Sequence, residues 1–238
     1  MADVIAVSPE LQPPAPPWLN DDVAPNGVPV RENFAAWFDG SALLNDDGEP
    51  YVVYRGDRAP VDEFHPDKRR EFGLFFAVEK ERADFYGTAP AYVLRASKVL
   101  DLRNAYGHWL KGGPVAQIIE TVFEDHLEDS HCQESGEPLT LADAITAIEE
   151  GYLWRMDGTG GWTMHAWRDL QRIVHAEGYD ALIVYDDGEG VGKGVDVIVF
   201  DAAQVKLAYG NSGLFSGLSP SVSDAEEGGH QSRERLRS

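Results

Sequence analysis

The sequence predicts an α+β fold, with short strands early and late in the chain and a block of helices between them. Three observations carry this. Apolar runs rich in valine, tyrosine and phenylalanine occur before residue 100 and again after residue 180. The intervening segment places its apolar residues at helical spacing, and strands and helices do not alternate as they would in a parallel βαβ sheet.

Taken in order, Arg31–Phe38 is expected to be helical, because Phe34, Trp37 and Phe38 then fall on one face. Tyr51–Tyr54 reads as a strand, and Leu74–Ala77 as another, followed at once by a helix over Glu79–Tyr86. Ala91–Ala96 is a third strand. Val115–Glu128 presents Val115, Ile118, Ile119, Val122 and Phe123 at helical spacing, with Pro114 suited to the first turn. Thr140 and Asp143 resemble a capping box ahead of "AITAIEE". Thr163 opens a helix carrying Trp167, Leu170, Ile173 and Val174, which Gly178 ends. Strands over Ala181–Tyr185 and Asp196–Phe200 complete the core.

Residues 1–30 are rich in proline and acid and read as a disordered arm. Residues 216–238 are polar and rich in glycine and serine, and read as a disordered tail. The expected folded domain is 31–215.

Composition narrows the function classes. The formal net charge is −21, from 41 acidic against 20 basic residues. A general phosphate-backbone binder would need a basic face, so nucleic acid is the less favoured partner. One cysteine, Cys132, excludes an internal disulfide and fits a reducing compartment. No basic, apolar leader opens the chain, and no run reaches the ~20 apolar residues that span a bilayer. The expectation is a cytoplasmic protein without membrane partners.

Three separated stretches stand out: "VVYRGD" at 52–57, "GLFFAVEKERADFYG" at 73–87 and "GVDVIVFDAAQVK" at 194–206. Their order, strand–Arg–Gly, then Gly–Leu–Phe–Phe–Ala with a helix ending in Tyr, then acid–x–Ile–Val–Phe–Asp–x–x–Gln–Val, resembles the catalytic fold of ADP-ribosyltransferases. The similarity is to the diphtheria-toxin and poly(ADP-ribose) polymerase branch, in the version found in phage and mobile-element polyvalent proteins. "FAAWFDGSALLNDDGEPYVVYRGD", "LRASKVLDLRN", "GYDALIVYDDGEG" and "GNSGLFSG" also look like landmarks of that family.

The resemblance implies a split β-sheet core with a helical insertion over about 104–178. It implies NAD as substrate, no metal, and a mono-ADP-ribosyltransferase acting on a macromolecular acceptor, a host protein if the gene is phage-borne. By position, Gly56 would offer backbone groups to the nicotinamide carboxamide, and Phe75 and Tyr86 would sandwich the ring. Ala83 takes the place of a carboxamide-binding serine. Arg55 replaces the usual histidine where the dinucleotide is contacted, and counts with Asp196 as a catalytic candidate. Asp196 stands where the family has its catalytic glutamate. The alternatives are a silent NAD-binding or protein-interaction module of the same fold, and an NAD glycohydrolase with water as acceptor.

These residue types suit the chemistry. Breaking the nicotinamide–ribose bond passes through an oxocarbenium-like sugar, which a neighbouring carboxylate stabilises. Flat aromatic faces hold a flat leaving group, at about 0.5–1.5 kcal/mol per stack beyond area burial. Plainer readings stand beside each. Arg55 could close an ion pair with Asp57, Phe75 and Tyr86 could be core aromatics, and Asp196 could be a solvated turn residue, with Glu189 as rival acid. Gly188–Gly194 lacks the Walker pattern and reads as a flexible loop between strands, where this fold meets its acceptor. Lys68, Arg69 and Arg70 are either a solvated turn or a contact for the pyrophosphate or the acceptor. His126, His131 and Cys132 lack a second ligand pair at zinc spacing. Gln204 reads as structural.

Overall fold

The computed structural model describes residues 15–59, 61–64, 73–127, 140–150, 170–188 and 192–224. In chain order the elements are α1 (Val30–Phe38), β1 (Val52–Tyr54), β2 (Leu74–Ala77), α2 (Lys80–Asp84), β3 (Ala91–Leu94), β4 (Val99–Asp101), α3 (Ala105–Lys111), α4 (Pro114–Leu127), α5 (Leu141–Glu150), β5 (Ala181–Gly188), β6 (Gly192–Val199) and β7 (Val205–Leu207). A further helix, α6, covers 170–176 between α5 and β5. The architecture is α+β, as expected.

Several boundaries move, each for a local reason. Pro114 opens α4, where its missing N–H costs nothing. Gly178 follows α6 at φ +79° and donates back to the His175 carbonyl, ending that helix. The Thr163 start of that helix lies outside the described residues. α3 was not anticipated. Its signal is Asn104, whose side chain accepts the Gly107 N–H as an N-cap. β4 and β7 were also missed, being three residues long, the second with a lysine at its centre.

The glycine-rich stretch read as a loop is mostly a hairpin. Asp186 pairs with Gly194, Asp187 with Lys193 and Gly188 with Gly192. Ladder hydrogen bonds belong to the backbone, so glycines can carry them without side chains to pack.

The seven strands form one mixed sheet in the order β4-β5-β6-β2-β1-β3-β7, antiparallel except for β4 with β5. Within it, β2 pairs with β6 along its whole length, whereas β1 and β2 share the single rung Tyr54–Ala77. That weak seam divides the sheet into two halves, which is the form the expected split takes.

Residues paired across strands project to the same side, so the register sorts the core. On the reverse face Val53, Phe76, Tyr92, Leu94, Ile183, Val197 and Val199 build one cluster with Leu43, Phe64 and Val222. The front face carries two blocks. Over β4, β5 and β6, helices α3–α6 bury Leu100, Leu182, Val184 and Ile198. Over β3, α1 packs Phe34 and Trp37 on Val93 together with Phe215. Between the blocks runs the row Tyr54–Ala77–Asp196–Val184, its first three members half-buried.

Packed contacts continue beyond the expected 31–215 at both ends. Residues 15–29 are packed, not loose: Pro17 and Ala24 are buried, and the Trp18 ring lies 5.7 Å from Phe34. Proline content lowered the expectation there, yet tryptophan supplies enough apolar surface to dock the segment. The tail is packed as far as Asp224. Leu207 N–H donates to the Val222 carbonyl at 2.8 Å, so the tail covers the β7 edge. Lys206, fully buried, donates to the carbonyls of Ser219 (2.9 Å) and Ser221 (2.7 Å) and to Asp224 Oδ1 (2.7 Å).

Gln204 is structural. Its Oε1 accepts from Phe200 and Asp201 N–H, and its Nε2 donates to the carbonyls of Arg95 and Asp180.

Candidate active site

Asp196 sits on β6 opposite Ala77 and Val184, so its carboxylate projects from the front face between the two packed blocks. Phe75 lies one rung further along the same face, opposite Ile198 and against the helical block. The strand β2 leads directly into α2, and this short helix delivers Arg82 to the acid. Arg82 is 7% exposed. Its Nη2 lies 2.8 Å from Asp186 Oδ2 and 3.5 Å from Asp196 Oδ1. Its Nη1 donates to the backbone carbonyls of Asp186 and Gly192.

Glu79, just before α2, accepts from the Val195 N–H at 3.1 and 3.3 Å. Gly194 makes room for this arrangement. A Cβ there would lie 2.3 Å from Arg82 Cδ and 2.7 Å from Glu79 Oε2. Burial, first, and then the negative charge of Asp186 push the Asp196 carboxyl up to about 7; Arg82 opposes this and Glu79 adds to it.

Past α2, Tyr86 is 58% exposed and makes an edge contact with Phe85, their centroids 5.3 Å apart. Partial burial raises its hydroxyl pKa, and the charges of Asp186 and Asp196 add to the effect. Gly56 is wedged against the same turn: a Cβ on it would meet the Ala83 carbonyl at 1.9 Å and the Gly87 nitrogen at 3.0 Å. Ala83 itself is buried. Gly56, Ala83 and Tyr86 are therefore gathered at one end of α2.

Arg55 goes elsewhere. Its Nε pairs with Asp57 Oδ2 at 3.2 Å, its Nη1 donates to the Phe75 carbonyl at 3.2 Å, and its Cζ lies 5.3 Å over the Phe64 ring. Phe64 belongs to the reverse-face cluster. Strand alternation accounts for this, since Tyr54 faces front and the next residue turns away. The plain ion-pair reading thus describes Arg55 in this structure, and the structure does not bring it to Asp196.

A family model described as ADP-ribosyltransferase in polyvalent proteins matches residues 45–215. The chain belongs to this family. The match runs from just before β1 to Phe215 and takes in the helical block. No curated protein matches the chain. A solved structure, the crystal structure of an anti-CRISPR protein, is similar at 12% identity and a TM-score of 0.34, covering 62% of this chain and 88% of that one, which is too slight to support any inference.

In this ADP-ribosyltransferase domain, three residues beside Asp196 escaped the sequence reading: Glu79, Arg82 and Asp186. Arg82 carried a signal, standing four residues before Tyr86 and next to Ala83 in the motif already singled out. Asp186 carried none, because only the β5–β6 register places it beside the acid. Glu189, Lys68, Arg69, Arg70, His131 and Cys132 lie outside the described residues, as does the side chain of His126. Among the described residues no group of His, Cys, Asp or Glu is placed to hold a metal, and no helix is long and apolar enough to cross a membrane.

Proposed function

We propose that this domain is a mono-ADP-ribosyltransferase that cleaves NAD and passes ADP-ribose to a macromolecular acceptor, a protein in preference to a nucleic acid. The observation that supports it most is the carboxylate of Asp196, half-buried between two packed blocks beside Phe75 and steadied by Arg82. In this reading the bond between nicotinamide and the ribose anomeric carbon breaks, and its electron pair leaves with nicotinamide. Asp196 stabilises the cationic sugar and holds a ribose hydroxyl. An acceptor nucleophile then bonds to the anomeric carbon and gives up its proton to solvent. Tyr86, half in water, offers a face to the nicotinamide ring, and beside it Gly56, packed closely against Ala83, offers backbone groups to the carboxamide.

The test is nicotinamide release from NAD by the purified protein, with and without cell lysate. Release that rises with lysate, and labelled NAD found on a macromolecule, identifies a transferase. Release indifferent to lysate identifies a glycohydrolase, and saturable binding without release a silent module. Release is also expected to climb with pH through about 7, because the ionised carboxylate is the active form; the gain between pH 6 and pH 8 should be about tenfold. A flat profile would remove Asp196 from the rate-determining step. Gly194→Ala should lower release about tenfold or more by displacing Arg82, since small misplacements at a reacting centre are costly. Its melting temperature should fall as well, because moving Arg82 breaks its buried pairing with Asp186, so release is compared on folded protein; unchanged turnover would show that Arg82 is not needed where it stands.

A further inference from the structure

Arg82 is one cation facing three carboxylates, Asp186 from β5, Glu79 from the turn before α2, and Asp196 from β6. Its bonds are unequally shared. Both contacts of Nη1 go to carbonyls of the β5–β6 hairpin, and Nη2 lies 2.8 Å from Asp186 but 3.5 Å from Asp196. Its Nε is buried and has no hydrogen-bond partner among the described residues. The guanidinium is therefore drawn to the hairpin at the expense of the acid proposed to do the chemistry.

We propose that Asp186 is a positioning residue for the reaction: it competes with Asp196 for the Arg82 guanidinium and so sets how much of that positive charge Asp196 keeps. The inference rests on the ADP-ribosyltransferase reading for its meaning, though not for its physical content. Asp186 projects from the same face as Asp196, one rung along the neighbouring strand, opposite the glycine that leaves space for the arginine. Its own carboxylate is 16% exposed, so its charge acts through protein, where screening is weak. Because Arg82 also binds backbone carbonyls of the hairpin, it stays in place when the Asp186 charge is removed, and its free valence turns to Asp196.

Among the described residues, the groups that act on Asp196 are Asp186, Glu79, Arg82 and Tyr86. Of these, Asp186 alone acts twice, by repelling Asp196 and by holding its counterion. Asp186→Asn removes both effects while keeping the shape. The experiment is carbon-detected NMR titration of the Asp196 carboxyl in the full chain, alongside the pH profile of nicotinamide release. In Asp186→Asn the Asp196 midpoint should fall by about one pH unit or more, and the ratio of release at pH 8 to pH 6 should drop from about tenfold to about twofold. Asp186→Glu should restore the parental midpoint, and Asp186→Ser serves the same purpose as Asn where the latter folds poorly. An unmoved Asp196 midpoint in a folded neutral variant overturns the proposal. Absence of release by the parent at every pH overturns the functional reading instead, and the NMR midpoint still decides the coupling.

Discussion

Replacing Asp196 with asparagine is expected to lower nicotinamide release by at least about 10²–10³-fold, the range seen when a preorganised group that stabilises transition-state charge is removed. The amide fills the same space but carries no negative charge against the developing cation. The same variant should be more stable than the parent at neutral pH. The parental carboxyl titrates near 7 in the folded chain because burial and Asp186 disfavour its charge, and near 4 when unfolded. Between those values the folded state holds more protons than the unfolded one, so the Asp196 contribution to stability falls as pH rises and is fully unfavourable above about 7. Asparagine never ionises. Its advantage should be absent near pH 4, grow toward pH 7 and then level off, and even about 1 kcal/mol would raise Tm by about 2–4 °C in a domain of this size. Thermal melts across that range check the stability claim, and a coupled nicotinamide assay checks the catalytic one. Parental turnover in Asp196→Asn would sink the assignment of the acid.

The second large effect concerns stability alone. Asp224→Ala strips Lys206 of its carboxylate partner, leaving a fully buried ammonium on two serine carbonyls. Breaking one side of a buried ion pair costs about 3–5 kcal/mol, which corresponds to a Tm lower by about 6–20 °C. Urea unfolding measures it directly. Burial already pulls the Lys206 pKa below its usual range, with Asp224 opposing. Without Asp224 the folded chain sheds that proton more readily than the unfolded chain, so stability rises with pH and the deficit should narrow toward pH 10. Lys206→Met with Asp224→Asn, which neutralises both partners, should recover much of the loss. A deficit below about 1 kcal/mol would mean that the Lys206–Asp224 pair contributes little to the fold.

Much of this was legible in the sequence where one element decided it. Phe34 and Trp37 declared the buried face of α1, and the β2–α2 unit announced itself through an apolar run followed at once by charged helix formers. Asp196 was singled out because a resemblance placed it. What escaped depends on register, which no local pattern encodes. Arg82 and Asp186 are 104 residues apart in sequence, and only the pairing of β5 with β6 and the space left by Gly194 make them neighbours. Nothing local marks Lys206 as buried either: it stands between valine and leucine, and only the tail folded over it supplies its partners. The direction of the Arg55 side chain follows from the alternation that begins at Val52, which turns it toward Asp57 and Phe64.

The seam between β1 and β2 has a consequence for how such a chain can change over generations. With one rung joining the strands, what crosses the seam is side-chain packing on the reverse face, where Phe76 of β2 meets Tyr92 of β3 with ring centroids 5.3 Å apart. The two front-face blocks, by contrast, share no residue. Substitutions in contact couple, whereas effects of distant, unshared contacts tend to add. The helical block and the block built on α1 can therefore be revised separately, while a change on the shared reverse face has to suit both.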